Sequence, residues 1–175
     1  MARMAAHLRA EGWTVHTIDL VPNWGQSGLD DLAAQIAAFV ERTFAAGESF
    51  DIVGFSMGGL VSRYYLQRLG GLERVRRFVT ISSPHRGSLL AWLIPNAGCR
   101  QMRPGSAFLR DLWHDVERLR QVRFTSFWTP FDLTIVPAWS SVLPVADCRR
   151  IWCIAHPLMV SERRCLTSVA EALRK

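Results

Sequence analysis

The sequence predicts an α/β fold built around a mainly parallel sheet. Two observations carry that prediction. Helix-like and strand-like patterns alternate along 175 residues, and the helical stretches are long enough to make crossover connections between parallel strands. No repeat, low-complexity tract or linker interrupts the alternation. With 49% hydrophobic and 21% charged residues, the chain is too apolar for disorder, and its length suits a single domain over 1–175.

Each element follows from its residues. Residues 2–10 are Ala-rich and helical in propensity, and Gly12 stands where a helix end places glycine. Residues 13–20, Trp-Thr-Val-His-Thr-Ile-Asp-Leu, are rich in β-branched side chains and predict a strand. Residues 21–27 hold Pro22, Asn23 and Gly25 and predict a loop. Over 29–45, Leu32, Ile36, Phe39, Val40 and Phe44 recur at helical spacing, with Asp30 and Asp31 in the first turn, where the helix dipole favours acids. Residues 50–55 read as a short apolar strand, and 60–69 as a helix that stops at Gly70-Gly71. Further strands are expected at 75–81, 122–128 and 151–155, and an amphipathic helix at 162–173. The stretch 88–121 breaks the rhythm: an apolar run from Leu89 to Ile94 precedes Pro95, Gly98, Pro104 and Gly105, which predicts an excursion over the strand ends.

Charge and cysteine usage exclude several classes. Lys and Arg total 21 against 15 acids, a net charge of +6, and Lys175 is the one lysine. The arginines are scattered in ones and twos, without the basic stripe or motif of a nucleic-acid reader, so no nucleic-acid partner is expected. Cys99, Cys148, Cys153 and Cys165 form no Cys-x-x-Cys pair and no zinc spacing, so neither metal nor cofactor is expected. Cys148 and Cys153 are close enough in sequence to be bridged, but only an oxidising compartment would do so. Residues 1–10 lack the apolar core of a secretory signal, and the longest charge-free run, 133–146, is broken by Pro137 and Pro144. The expectation is a soluble, cytoplasmic protein without a transmembrane segment; nothing in the sequence speaks to its oligomeric state.

Gly54-Phe55-Ser56-Met57-Gly58 matches G-x-S-x-G at the junction of an expected strand and an expected helix, the setting of a nucleophile elbow. A serine in such a turn is lifted above the sheet at the positive end of the following helix. Gly54 and Gly58 are expected where side chains would strike neighbouring backbone.

On these residues the chain resembles the α/β-hydrolase superfamily, and its small bacterial lipase and esterase branch (triacylglycerol lipase-like) in particular. Gly54-Phe-Ser-Met-Gly-Gly59 is similar to the family's GHSMGG, with Phe55 where His is frequent. Ser83-Pro-His-Arg-Gly87-Ser is similar to its T-P-H-x-G-[TS] turn, and Gln101-Met-Arg-Pro-Gly-Ser-Ala-Phe-Leu109 to a further family segment. The resemblance implies a mainly parallel sheet with helices on both faces, N-terminally incomplete, and a small lid-like excursion around 88–121. It also implies triad residues in the order serine, acid, histidine. Asp132, in the turn after the strand 122–128, is the favoured acid over Asp147. His156, between the last strand and the closing helix, is the base. His85 precedes the acid and reads as a supporting residue; His7, His16 and His114 read as helix, strand and solvated positions.

The activity implied is carboxylic ester hydrolysis through an acyl-enzyme on Ser56, with His156 as base, Asp132 holding the imidazole, and the Met57 N–H as one oxyanion donor. The substrate expected is a small acyl ester or a lipid. Leu89 to Ile94 and the seven tryptophans suit an apolar acyl pocket or lid, or simply the core. A thioesterase, amidase or acyltransferase would use the same triad, and a non-catalytic or impaired remnant is the rival. The family takes its second oxyanion donor from a His-Gly loop after a strand that precedes a helix like 2–10. By the family's order that strand lies between 13–20 and 50–55, and this sequence contains neither the strand nor its loop, so the expectation is a protein that begins upstream of Met1 or, failing that, a degenerate chain that folds poorly and hydrolyses little.

Overall fold

A computed structural model describes residues 1–22 and 25–174; Asn23, within the expected loop 21–27, lies outside the described residues. In chain order the elements are α1 (Ala2–Ala10), α2 (Leu29–Thr43), β1 (Phe50–Phe55), α3 (Met57–Arg68), β2 (Val75–Ile81), α4 (Ala97–Gln101), α5 (Ala107–His114), β3 (Arg123–Trp128), β4 (Asp147–Arg150) and α6 (Arg163–Arg174). The strands form one parallel sheet in the order β1-β2-β3-β4. Parallel neighbours require crossovers, and the helices supply them on both faces of the sheet.

Strand alternation divides the core in two. Phe78 and Phe124 turn to one face and pack with Leu32, Ile36 and Val40 of α2, Leu60 of α3 and Leu112 of α5. Val79, Ile81 and Phe127 turn to the other and pack with Met4 and Leu8 of α1 and Val169 and Leu173 of α6. Full burial of such side chains stabilises by roughly 1.5–3 kcal/mol each. The helix expected from residue 60 begins at Met57, directly after the serine, so α3 and the elbow share one turn.

Two expected strands are corrected. Residues 151–155 are not a strand. The ladder instead covers Asp147–Arg150, pairing Thr125 with Asp147 through Trp128 with Arg150, and ends where β3 ends, apart from one bond from Ile151 N–H to Trp128 O at 2.8 Å. Pairing sets a strand's limits, and Asp147, expected in a loop, therefore sits in β4. Residues 13–20 likewise form no strand. Their neighbour in space is β1, which among the described residues pairs with β2 alone. Phe50 and Ser56 donate their N–H groups toward β2, to Arg74 O and Ile81 O, so the backbone groups of Asp51, Val53 and Phe55 face the sheet's outer edge. Between that edge and residues 13–18 runs a groove of about 500 Å³, lined by Val15, Ile18, Phe39, Phe44, Ile52 and Val53 among others. β-branched composition favours extended backbone, but a ladder needs a partner about 4.8 Å away. The groove holds β1 out of reach.

All four cysteines are free, Cys148 and Cys153 included. Among the described residues no helix is long and apolar enough to cross a membrane, and no His, Cys, Asp and Glu grouping could hold a metal ion.

Candidate active site

Ser56 sits between β1 and α3 with φ 53° and ψ −128°. A left-handed φ on a residue with a Cβ is strained by roughly 1–3 kcal/mol and persists only where surroundings fix it. Here the Ser56 N–H is held by Ile81 O at 2.9 Å and its carbonyl accepts from Gly59 N–H at 3.1 Å. Met57 and Gly58 begin α3, where the first N–H groups of a helix have no intrahelical acceptor and point at whatever lies beside the serine.

The glycine expectation is half corrected. A Cβ on Gly54 would stand 2.6 Å from the Gly59 Cα, so that position is closed to any side chain. A Cβ on Gly58 would meet nothing within 4 Å. The second crowded position is Gly59, whose added Cβ would stand 2.0 Å from Ser83 Oγ. The helix turns Gly58 outward and Gly59 against β2 and its following turn. The pentapeptide alone cannot tell the two apart.

The structure brings Asp132 and His156 together: His156 Nδ1 lies 2.7 Å from Asp132 Oδ2, with both residues buried. The other Asp132 oxygen accepts from the N–H groups of Thr134 and Ile135, at 2.9 and 2.8 Å. Burial alone would raise the Asp132 carboxyl. The bonds from His156, Ile135 and Thr134 outweigh it and hold the group below the usual carboxylate range. An ionised Asp132 makes Nδ1 the donor, which leaves Nε2 of neutral His156 as an acceptor. The Phe55 ring lies 4.7 Å from the imidazole. Among the described residues no hydrogen bond joins Ser56 to His156; such bonds are commonly long without substrate. Asp147 is on β4, where its carboxylate pairs with Arg149 at 2.5 Å rather than with a histidine.

Of the residues that support the site, Thr129 and Arg63 carry no signal in the sequence, whereas Ser88 and His85 belong to the Ser83–Ser88 turn. Thr129 donates to Cys153 O at 2.6 Å and so ties the acid turn to the histidine loop. Ser88 donates to Thr134 O and accepts from Val136 N–H, both at 3.0 Å, which fastens the excursion to the acid turn. Fully buried Arg63 donates to Gln67 Oε1, His85 O and Leu112 O, linking α3 to the Ser83–Gly87 turn and to α5. Burial lowers its guanidinium to about 9, partly offset by Asp115. His85 is buried beneath the site. Thr80 gives its hydroxyl proton to Ser126, so His85 Nε2–H must donate to Thr80 Oγ1 at 3.0 Å. Burial first, then the Arg63 charge, hold the His85 pKa well below its ordinary value, so this ring is neutral.

The family's sequence profile for palmitoyl protein thioesterases matches residues 1–138. The chain belongs to the palmitoyl protein thioesterase family. Solved structures agree on the α/β-hydrolase fold of this thioesterase-family chain. A lipase of Bacillus licheniformis in its mature form superposes with a TM-score of 0.79 at 19% identity, over 97% of this chain and 82% of that one. Lipase B of Aspergillus fumigatus gives 0.75 at 17% identity, over 89% of this chain and 44% of that one. An extracellular α/β-hydrolase of a Paenibacillus species gives 0.62 at 16% identity, over 98% and 90%.

Proposed function

We propose that this thioesterase-family chain is a serine hydrolase of carboxylic esters or thioesters. The observation that carries the reading is the buried Asp132–His156 bond of 2.7 Å, with the imidazole packed on Phe55, the residue before a serine held at φ 53° on the N-terminus of α3. In this reading His156 Nε2 takes the Ser56 proton as Oγ attacks the acyl carbon. The Met57 N–H meets the oxyanion as the carbonyl bond opens. The tetrahedral intermediate collapses, the proton passes from His156 to the leaving alcohol or thiol, and the acyl group stays on Ser56. Water, deprotonated by His156, then attacks the ester and releases the acid. Asp132 keeps Nδ1–H in place and stabilises the imidazolium.

The purified chain is expected to release p-nitrophenol from short acyl esters, and Ser56→Ala to abolish the release. Unchanged turnover in that variant would remove Ser56 as nucleophile. Comparison of an S-acyl with an O-acyl substrate of equal chain length tells a thioesterase from an esterase.

A second reading, an impaired hydrolase, is favoured by one observation: among the described residues no strand pairs with the outer edge of β1, the place the family gives the strand that leads to its second oxyanion donor. Loss of one such donor costs about 10²–10³ in rate. Turnover lower than in other hydrolases of the family by that factor, yet still abolished by Ser56→Ala, would mark this case.

A further inference from the structure

Most of the large apolar side chains left in solvent lie on three loops, 89–94, 131–133 and 152–158. Leu93 is 76% exposed, Leu133 82% and Ile154 79%. The loops adjoin one another. Leu89 N–H donates to Val136 O at 2.7 Å, Thr129 bonds Cys153, and the rings of Phe131 and Trp152 stand 5.6 Å apart. Three touching loops thus leave bare apolar side chains in the segments that carry Asp132 and His156, more than folded monomers usually expose without a partner.

Charge lies beside these loops. The Arg150 guanidinium lies 4.6 Å over Trp152, and both line a depression of about 590 Å³ with Arg163, Arg164, Thr167 and Ser168. Glu162 is the carboxylate in that lining. Among the described residues, none of the three arginines forms an ion pair. Arg163 and Arg164 also occupy the first turn of α6, where the helix dipole disfavours cations. At the 89–94 loop, Arg103 lies 4.5 Å over Trp92 and, among the described residues, likewise has no carboxylate partner. Arginines stacked on half-exposed tryptophans beside bare aliphatic side chains match the layering of a bilayer surface, with phosphates outside, aromatic rings at the boundary and alkyl groups below.

We propose that these loops dock on an anionic phospholipid bilayer. Leu93, Leu133 and Ile154 enter the interface, while Arg150, Arg163 and Arg164 meet lipid phosphates. The docking would hold the candidate site against the layer in which acyl groups reside. It does not depend on the acyl chemistry proposed above.

The test uses the full chain carrying Ser56→Ala, so that binding is read without hydrolysis and whether or not Ser56 is the nucleophile. Flotation compares vesicles of pure phosphatidylcholine with an equal mixture of phosphatidylcholine and phosphatidylglycerol. The mixed vesicles are expected to bind at least about tenfold more tightly, and the preference to shrink as salt rises. Arg150→Ala/Arg163→Ala/Arg164→Ala should weaken binding to the mixed vesicles on the order of a hundredfold. Leu93→Asp/Leu133→Asp should weaken binding to both vesicle types by roughly tenfold or more. Melting temperatures identify folded variants, and glutamine replaces alanine at the arginines if the first triple variant melts early. Equal affinity for the two vesicle types, or parental binding by the folded arginine variant, would overturn the proposal. So would a stable dimer that buries Trp92 and Trp152. Protection by inorganic phosphate without vesicle binding would also overturn it and mark a small-anion site.

Discussion

Two segments on either side of β1 behave differently although their sequences look alike. Residues 75–81 and residues 13–20 are both rich in β-branched side chains. The first form β2, paired on both sides and buried between two helical layers. The second lie beside a groove, held by the Trp13 N–H to Leu8 O bond and by side-chain contacts of Arg9 with Val15 O, Phe44 with His16 and Arg174 with Trp13. β propensity describes fitness for a ladder, and a ladder exists only where a second edge lies in reach. The elements that present Ser56, Asp132 and His156 all belong to the paired part or to the turns that leave it.

Four predictions sharpen or break that contrast. The largest effect is expected within the paired part. Asp132→Asn should lower acyl ester turnover by about 10⁴-fold, whereas Asp147→Asn should leave it within a fewfold. The opposite ranking in steady-state kinetics would move the acid to β4. Next come the packing effects. Phe78→Ala should cost about 3–5 kcal/mol in denaturant unfolding, and Ile18→Ala beside the groove less than about 1 kcal/mol. Within the elbow, Gly59→Ala should destabilise by a few kcal/mol (about 1–3 or more), while Gly58→Ala is nearly silent in the same assay. Equal costs for the two glycines would mean that α3 is rotated about its axis.

The third effect is a pH slope. The folded pKa of His85 lies below its unfolded value of about 6.5, so the unfolded chain binds the extra proton first. The stability from keeping His85 neutral is complete above about pH 6.5 and is lost as pH falls toward the folded pKa. Asp132, also depressed, gives up its share further down, as pH falls below the usual carboxylate range. Thermal melts of His85→Gln should lose the upper part of the acid-side slope and keep the lower part. An unchanged slope would mean that the ring is not buried neutral. The smallest effect is read amide by amide in hydrogen exchange. In β1, Asp51, Val53 and Phe55 should exchange faster than Ile52 and Gly54, and the amides of 14–20 faster still. Uniform protection along β1 would mean that its outer edge is paired.

Much of this chain is legible in the order of its residues. The spacing of Leu32, Ile36 and Val40 marks α2, and the Gly54–Gly58 motif at a strand–helix junction marks the elbow. These are local patterns, and local patterns report backbone geometry and solvent-facing periodicity. Asp132 and His156 are named only through the order serine, acid, histidine that the family resemblance implies. What local patterns do not contain is partnership. Residues 13–20 read as a strand and are not one, because β1 is out of reach. Residues 151–155 give way to Asp147–Arg150, because β3 fixes the ladder's end. Gly58 proves open and Gly59 crowded, because Ser83 arrives from a distant turn. Arg63, Thr129 and Ser88 gain their roles from carbonyls that are remote in the chain. Sequence determined which segments favour helix or extended backbone and which groups could do chemistry. Only the tertiary structure decided which of them found partners, because burial and hydrogen bonding depend on neighbours that the order of residues does not place.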